Sequence, residues 1–201
     1  MNITLFGGSF NPPHLGHEIV LKQIFELKLI PNLDQIWLLP EYQHSFAKNT
    51  DLAPVTHRLA MTKLLLHPAK PWQSGVKLET CCIDKQMSGN TIEHISYLKN
   101  KFPRHQFSFL IGSDNLPTFS QWPQWQKLLK LMVFYIYPRQ GYPFRPLYSN
   151  MKPLTHPAQI ITNISSTMIR QRLKQGQIVE HLLTQPVFRY LKTRKLYCFG
   201  K

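Results

Sequence analysis

The sequence predicts an α/β fold: one mostly parallel, doubly wound sheet with helices on both faces. Three observations carry this. Short apolar runs alternate with helical stripes along the whole chain. Glycine- or proline-rich turns follow several of the runs, at 7–8, 112 and 138–141. The 201 residues suffice for one full core, so a single domain over 1–201 is expected.

Taken in order, Ile3-Thr4-Leu5-Phe6 reads as a buried strand, and the apolar spacing over 19–27 reads as a helix. Residues 35–39 form a second strand stopped by Pro40, and the polar stretch 41–54 reads as a loop over a site. Ala60, Met61, Leu64 and Leu65 make a helical stripe within 56–67, ended by Pro68 and Pro71. A third strand is expected over 76–83. Ser88-Gly89-Asn90-Thr91 is a turn opening a helix with Ile92, Ile95 and Leu98. Strands follow over 106–111 and 132–137, with a helix over 125–130 between them. Residues 142–157 read as irregular, and 159–161 as a short last strand. A helix from Ser165-Ser166-Thr167 through Leu173, closed by Gly176, and a short helix over 186–192 finish the chain as a small C-terminal helical segment.

Lys and Arg number 24 against 10 Asp and Glu, a formal net charge of +14. The basic residues are scattered, with no RNA-binding, zinc-finger or long basic-arm pattern. The charge therefore reads as a basic surface that steers anionic substrates rather than as a nucleic-acid interface. No apolar run approaches the ~18 residues that cross a membrane, and the glycine- and proline-broken start is no signal peptide. The three cysteines, Cys81, Cys82 and Cys198, lack metal or disulfide spacing and suit a reducing compartment. A cytoplasmic location is expected.

Two stretches carry chemistry. The first is Gly7-Gly8-Ser9-Phe10-Asn11-Pro12-Pro13-His14-Leu15-Gly16-His17, between a strand and a helix. Glycines let backbone N–H groups approach a ligand, and a helix start leaves N–H groups unpaired at the positive end of its dipole. Two imidazoles beside such groups suit nucleotide phosphates. The second is Ile164-Ser165-Ser166-Thr167-Met168-Ile169-Arg170. Its hydroxyls could simply cap a helix, but Arg170 lies four residues after Ser166 on the same face, which makes a second phosphate cradle. In a parallel sheet, ligands bind beyond the carboxyl ends of strands, so residues 7–17, 112–114 and 138–141 should converge. HExxH is absent, which sets metal binding by His14 and His17 below phosphate contact, and the absence of the P-loop pattern and of GxGxxG argues against a P-loop kinase and an NAD-dependent dehydrogenase. No metal ligands are assigned.

These two stretches, in this order and about 150 residues apart, resemble the nucleotidyltransferases of the HxGH class, and within them bacterial nicotinate-nucleotide adenylyltransferases. Trp37-Leu38-Leu39-Pro40, His57-Arg58-Leu59-Ala60-Met61, Ile111-Gly112-Ser113-Asp114 and Trp122 fit as further landmarks. The resemblance implies a Rossmann-like domain that joins nicotinate mononucleotide to the AMP part of ATP, releasing pyrophosphate and giving deamido-NAD. It implies His14, His17 and Arg170 as catalytic residues. It implies ATP contacts at Gly7, Gly8, Ser9, Phe10, His14, His17, Gly112, Asp114, Arg139, Ile164, Ser165, Ser166 and Arg170. It implies mononucleotide contacts at Gly8, Ser9, Phe10, Lys48, Thr91 and Trp122, with Trp122 stacking on the pyridine ring. Mg²⁺ is expected to arrive with ATP. The expected partners are these small molecules, with no nucleic acid and no membrane; a homo-oligomer is compatible with the sequence.

Three departures from the family pattern bear on the substrate. His44-Ser45-Phe46-Ala47-Lys48 stands where the family carries Pro-Pro-His-Lys, and Gly89-Asn90-Thr91 replaces Ser-Tyr-Thr. Pro123 follows the stacking tryptophan, and proline has no N–H to give a pyridine carboxylate. Trp125 offers another register. Nicotinamide mononucleotide, phosphopantetheine or cytidylyl transfer stand as alternatives within the class, and a noncatalytic nucleotide or RNA binder stands outside it.

Overall fold

The computed structural model describes residues 1–43, 52–66 and 71–198. Six strands form one parallel sheet: β1 (Asn2–Gly8), β2 (Gln35–Pro40), β3 (Val76–Leu78), β4 (Gln106–Gly112), β5 (Phe134–Tyr137) and β6 (Met151–Pro153). Their order is β3-β2-β1-β4-β5-β6, the doubly wound arrangement whose crevice lies between β1 and β4. The register sets Gly7 beside Leu39 and Gly8 beside Pro40.

Helices cover both faces. Alternate residues of β2 point to opposite sides, as the pleat requires. Trp37 and Leu39 join Leu5, Phe109 and Ile136 under α4 (Thr91–Lys101) and α5 (Trp125–Leu131). Ile36 and Leu38 join Leu110, Tyr135 and Tyr137 under α1 (Leu15–Glu26) and α2 (Val55–Leu65). A third cluster of Met61, Ile169, Leu173, Val187 and Leu191 packs α6 (Ser166–Lys174) and α7 (Gln185–Thr193) against α2. Val187 and Leu191 are fully buried, each worth about 2 kcal/mol of transfer free energy. This cluster anchors the small C-terminal helical segment that carries Ser165 and Ser166.

Several elements differ from expectation. The third strand stops at Leu78, and Cys81–Asp84 forms the short helix α3 instead. The Glu79 carboxylate accepts the Cys81 N–H at 3.2 Å and starts that turn, while Cys81 and Cys82 stay buried as free thiols. A 3-10 helix, Ser113–Gln121, follows β4. The last strand is Met151–Pro153, inside the stretch read as irregular, and 159–161 is not a strand. There the Gln23 side chain mimics a strand partner: its Oε1 accepts the Ile160 N–H at 2.6 Å and its Nε2 donates to the Ile160 carbonyl at 3.1 Å. Tyr135 lies in the core, as a strand aromatic should.

Candidate active site

The carboxyl ends of the strands open onto a cleft of about 490 Å³. The turn after β1 contributes Gly7, Gly8, Ser9 and Phe10, and the start of α1 contributes His14, Gly16 and His17. The end of β4 gives Gly112 and Asp114, the end of β5 leads to Arg139, and α6 opens with Ser165 and Ser166. Thr91, Trp122 and Pro123 stand on the opposite wall. The convergence predicted for strand ends is therefore observed. Trp125 lies away from the cleft, packed on Tyr148 with ring centroids 4.8 Å apart. Lys48 and His44 lie outside the described residues.

The two histidines are set by the helix start. His14 is the N-cap of α1 in extended conformation and His17 is the third residue of its first turn. The His14 N–H donates to Nδ1 of His17 at 3.1 Å. With Nδ1 accepting, a neutral His17 carries its proton on Nε2, the nitrogen that remains for a ligand. The rings lie 3.8 Å apart between centroids. Burial, reinforced by Arg139, pushes His17 down to about 3, and burial with His17 and Arg139 pushes His14 well below the usual range. Both are neutral in the open cleft at pH 7. His14 is buried, and its Nδ1 has no hydrogen-bond partner. An unsatisfied buried nitrogen in a cleft wall is what a ligand oxygen or hydroxyl would complete.

Glycine is required where backbone and side chains meet here. A Cβ on Gly16 would sit 2.9 Å from Nδ1 of His14 and 3.3 Å from the Ile164 carbonyl oxygen. A Cβ on Gly112 would collide with Asp114 Oδ1 and sit 3.0 Å from Arg139 Cγ. Either methyl would displace a cleft group.

The late segment is fastened to the early one. Ser165 Oγ caps α6 by accepting the Met168 N–H at 3.2 Å. Ser166 Oγ donates to the Pro12 carbonyl at 2.8 Å, and Arg170 Nη1 donates to the Asn11 carbonyl at 2.9 Å. Arg139 Nη2 donates to the Ile164 carbonyl at 2.8 Å, and its Nε lies 4.0 Å from Asp114 Oδ1. Ile164 and Arg170 stand behind the wall without lining the cleft. Arg170 keeps its Nε buried and without a hydrogen-bond partner.

Two residues given no role in the sequence shape the same cleft. Arg58 is fully buried. Its guanidinium donates to the carbonyls of Ala53, Ser9, Glu41 and Tyr42 at 2.6–3.0 Å, tying the turns after β1 and β2 to the start of α2. Glu41 lines the cleft directly after β2. A planar five-donor fork can satisfy several carbonyls at once, but a helical arginine carries no sequence mark of pointing inward.

Among the described residues no group of three or more His, Cys, Asp or Glu could hold a metal. Asp114 is the carboxylate beside the basic wall and already faces Arg139.

Comparison with known proteins supplies the family. The cytidylyltransferase-like profile matches residues 5–172. A probable nicotinate-nucleotide adenylyltransferase of Anaeromyxobacter sp. (strain K) is 32% identical over 200 residues, covering 97% of this chain and 96% of that one. One from Bacillus licheniformis is 30% identical over 195 residues, covering 97% of each. In structure, the Plasmodium falciparum nicotinic acid mononucleotide adenylyltransferase complexed with NaAD superposes with a TM-score of 0.81 at 23% identity, over 99% of this chain and 98% of that one. Profile, relatives and shared fold agree across nearly the whole length, and the chain belongs to the cytidylyltransferase-like family.

Proposed function

We propose that this chain is a nicotinate-nucleotide adenylyltransferase, joining nicotinate mononucleotide to the AMP part of ATP and releasing pyrophosphate. One observation carries the reading. Segments about 150 residues apart close around a single cleft, through Ser166 to Pro12 and Arg170 to Asn11, beside His14 and His17. The full-length relatives bearing this activity in their names support it.

The chemistry asks little of a base. A phosphate oxygen of the mononucleotide, already anionic, attacks the α-phosphorus of ATP. A new P–O bond forms, the bond to the bridging oxygen breaks, and pyrophosphate leaves with that electron pair. Catalysis then consists of aligning two anions and neutralising charge as it moves to the leaving group. His17 offers an Nε2 donor to the α-phosphate, with His14 beside it. The α6 N-terminus, Ser165, Ser166 and Arg139 form the wall for the β- and γ-phosphates. Arg170 holds the turn at Asn11 that leads into His14. Gly112 and Asp114 take the adenosine side. Mg²⁺ bound with ATP supplies further charge neutralisation.

On the other wall, Trp122 offers a ring face to the pyridine. The first-turn N–H groups of α4, at Thr91, suit a pyridine carboxylate; the Asn90 cap gives them no side-chain bond. Pro123 removes one N–H from that wall. The acid is therefore favoured over the amide by fewer donors than the family pattern supplies. Among the described residues no helix is long and apolar enough to cross a membrane; the buried free thiols of Cys81 and Cys82 support a reducing compartment for this enzyme of small-molecule substrates.

The test is pyrophosphate release from MgATP with nicotinate mononucleotide, nicotinamide mononucleotide and phosphopantetheine, and from MgCTP. Turnover is expected with the pyridine nucleotides, with nicotinate favoured in kcat/KM. A strong amide preference overturns the substrate; no pyrophosphate with any acceptor, but a salt-sensitive RNA shift, overturns the enzyme.

A further inference from the structure

The carboxylate of Glu41 has no role in the reaction as described. It stands immediately beyond the end of β2, where its N–H donates to the Gly8 carbonyl at 3.1 Å. Its own carbonyl accepts Arg58 Nη1 at 2.7 Å, so its backbone is fixed from both sides. The side chain lines the cleft, and Oε2 is buried with no hydrogen-bond partner. The Arg58 donors that could neutralise it are engaged with main-chain carbonyls, including the neighbouring Tyr42 carbonyl at 2.6 Å. A buried carboxylate oxygen without a partner is costly. Facing a ligand cleft, it is a group waiting for a donor.

The substrates narrow that donor. Phosphates and a pyridine carboxylate repel the ionised form of Glu41 and carry no proton to donate to it. Nicotinate mononucleotide then has only its two ribose hydroxyls to donate. Two riboses enter this reaction, and position separates them. Glu41 lies on the β2 side of β1, beyond Gly8, whereas Arg139, Ser165 and Ser166 line the side built from β5 and α6.

We propose that Glu41 is a specificity-determining residue that accepts a hydrogen bond from the ribose diol of the mononucleotide, selecting a ribonucleotide as the acceptor of the adenylyl group. This rests on the adenylyl-transfer reading. Arg58 is its positioning residue, holding the Glu41 backbone against the turn after β1.

The experiment is a substrate-by-variant cycle. Purified wild type, Glu41→Ala and Glu41→Met are assayed with MgATP and nicotinate mononucleotide or its 2′-deoxy and 3′-deoxy analogues. Wild type is expected to discriminate against one deoxy analogue by tenfold or more in kcat/KM, about what a hydrogen bond to a charged group supplies. Both variants should reduce that ratio to within about twofold and raise KM for the mononucleotide, leaving KM for ATP within about twofold. Glu41→Met, similar in length and free of the unpaired charge, should fold at least as well as wild type and so carries the test if the alanine variant does not. A methionine variant that keeps the full discrimination overturns the proposal, as does a wild type that does not discriminate, or a lost discrimination that appears with 2′-deoxy-ATP instead. A wild type that releases no pyrophosphate with the unmodified mononucleotide fails the parent reading, an outcome separate from these.

Discussion

The main-chain N–H of His14 donates to Nδ1 of His17 at 3.1 Å, so one hydrogen bond inside the first turn of α1 decides which nitrogen of His17 faces the cleft. Since burial and Arg139 hold His17 down to about 3, it is neutral at pH 7, and in the proposed reaction it donates through Nε2–H. His17→Ala should cut kcat by about 100-fold, the cost of one donor at a developing charge, with the melting temperature nearly unchanged. In wild type, kcat should not fall as pH rises from 6 to 8. Steady-state kinetics across that range check both; a kcat that collapses through pH 6.5 means that an imidazolium is needed.

Acid stability should depend on groups of opposite sign, the buried imidazoles of His14 and His17 on one side and Glu41 on the other. His17 has its folded value below its free value of 6.5, so its contribution is complete above 6.5 and is lost as pH falls. Glu41 is raised by burial from 4.5 to about 7; the fold prefers its protonated form, and its contribution grows as pH falls from 7 toward 4.5. Between pH 7 and 5 each amounts to up to about 2 kcal/mol, with opposite signs. Glu41→Gln should therefore steepen the loss of stability on acidification, and His17→Ala should lessen it. Urea midpoints at pH 7 and pH 5 measure both slopes.

What could be read from the sequence was chemistry that is local in the chain. Glycines beside a helix start, a serine cap and an arginine one turn later announce themselves within a dozen residues, and residues 7–17 and 164–170 do meet at one cleft. What could not be read was long-range or short. Three residues, as in Val76–Leu78 and Met151–Pro153, are too few to show a period. The apolar residues around Ile160 mimic a strand, but the Gln23 side chain takes up the main-chain groups a neighbouring strand would use. Arg58 gathers carbonyls from 16 to 49 positions away, and nothing in a helical stripe marks such a residue as buried. Arg170 stands out in the sequence by its place one turn after Ser166, whereas its contact with the Asn11 carbonyl rather than the cleft depends on how the β1 turn folds back.

Gly16 gives a test of packing in the site. Gly16→Ala puts a methyl 2.9 Å from Nδ1 of His14, with the Ile164 carbonyl behind it at 3.3 Å. The His14 ring must move, so kcat/KM should drop at least tenfold, with a stability cost of about 1–2 kcal/mol. Gly176 is the contrast: its φ is +68°, and a methyl there would meet nothing within 4 Å. Gly176→Ala should cost about 1 kcal/mol through backbone strain alone and leave turnover unaltered. Paired melts and rates separate the two effects.

Chelation should act on the reaction and not on the fold. No resident metal cluster stands among the described residues, so excess EDTA should abolish pyrophosphate release and leave the melting temperature of the ligand-free protein within about 1 °C. Stabilisation by ATP should shrink when Mg²⁺ is withheld, because binding to the folded state alone raises apparent stability. A melting temperature that falls on chelation without nucleotide reveals a structural metal instead.

Ser166 and Arg170 reach consecutive carbonyls of one turn, Pro12 at 2.8 Å and Asn11 at 2.9 Å. They should therefore act as a unit. Ser166→Ala leaves the Pro12 carbonyl without its donor, and Arg170→Ala does the same at Asn11 while opening a cavity next to α6. Each loss should cost about 1–2 kcal/mol of stability and raise KM for ATP about tenfold, because the turn that presents His14 is loosened. Once one anchor is gone the other holds a turn that has already shifted, so the double variant should lose less than the sum, with a coupling of about 0.5–2 kcal/mol. Full additivity in both stability and KM means that the two side chains act independently on the nucleotide. The presence of the coupling thus separates residues that position the turn from residues that bind phosphate directly.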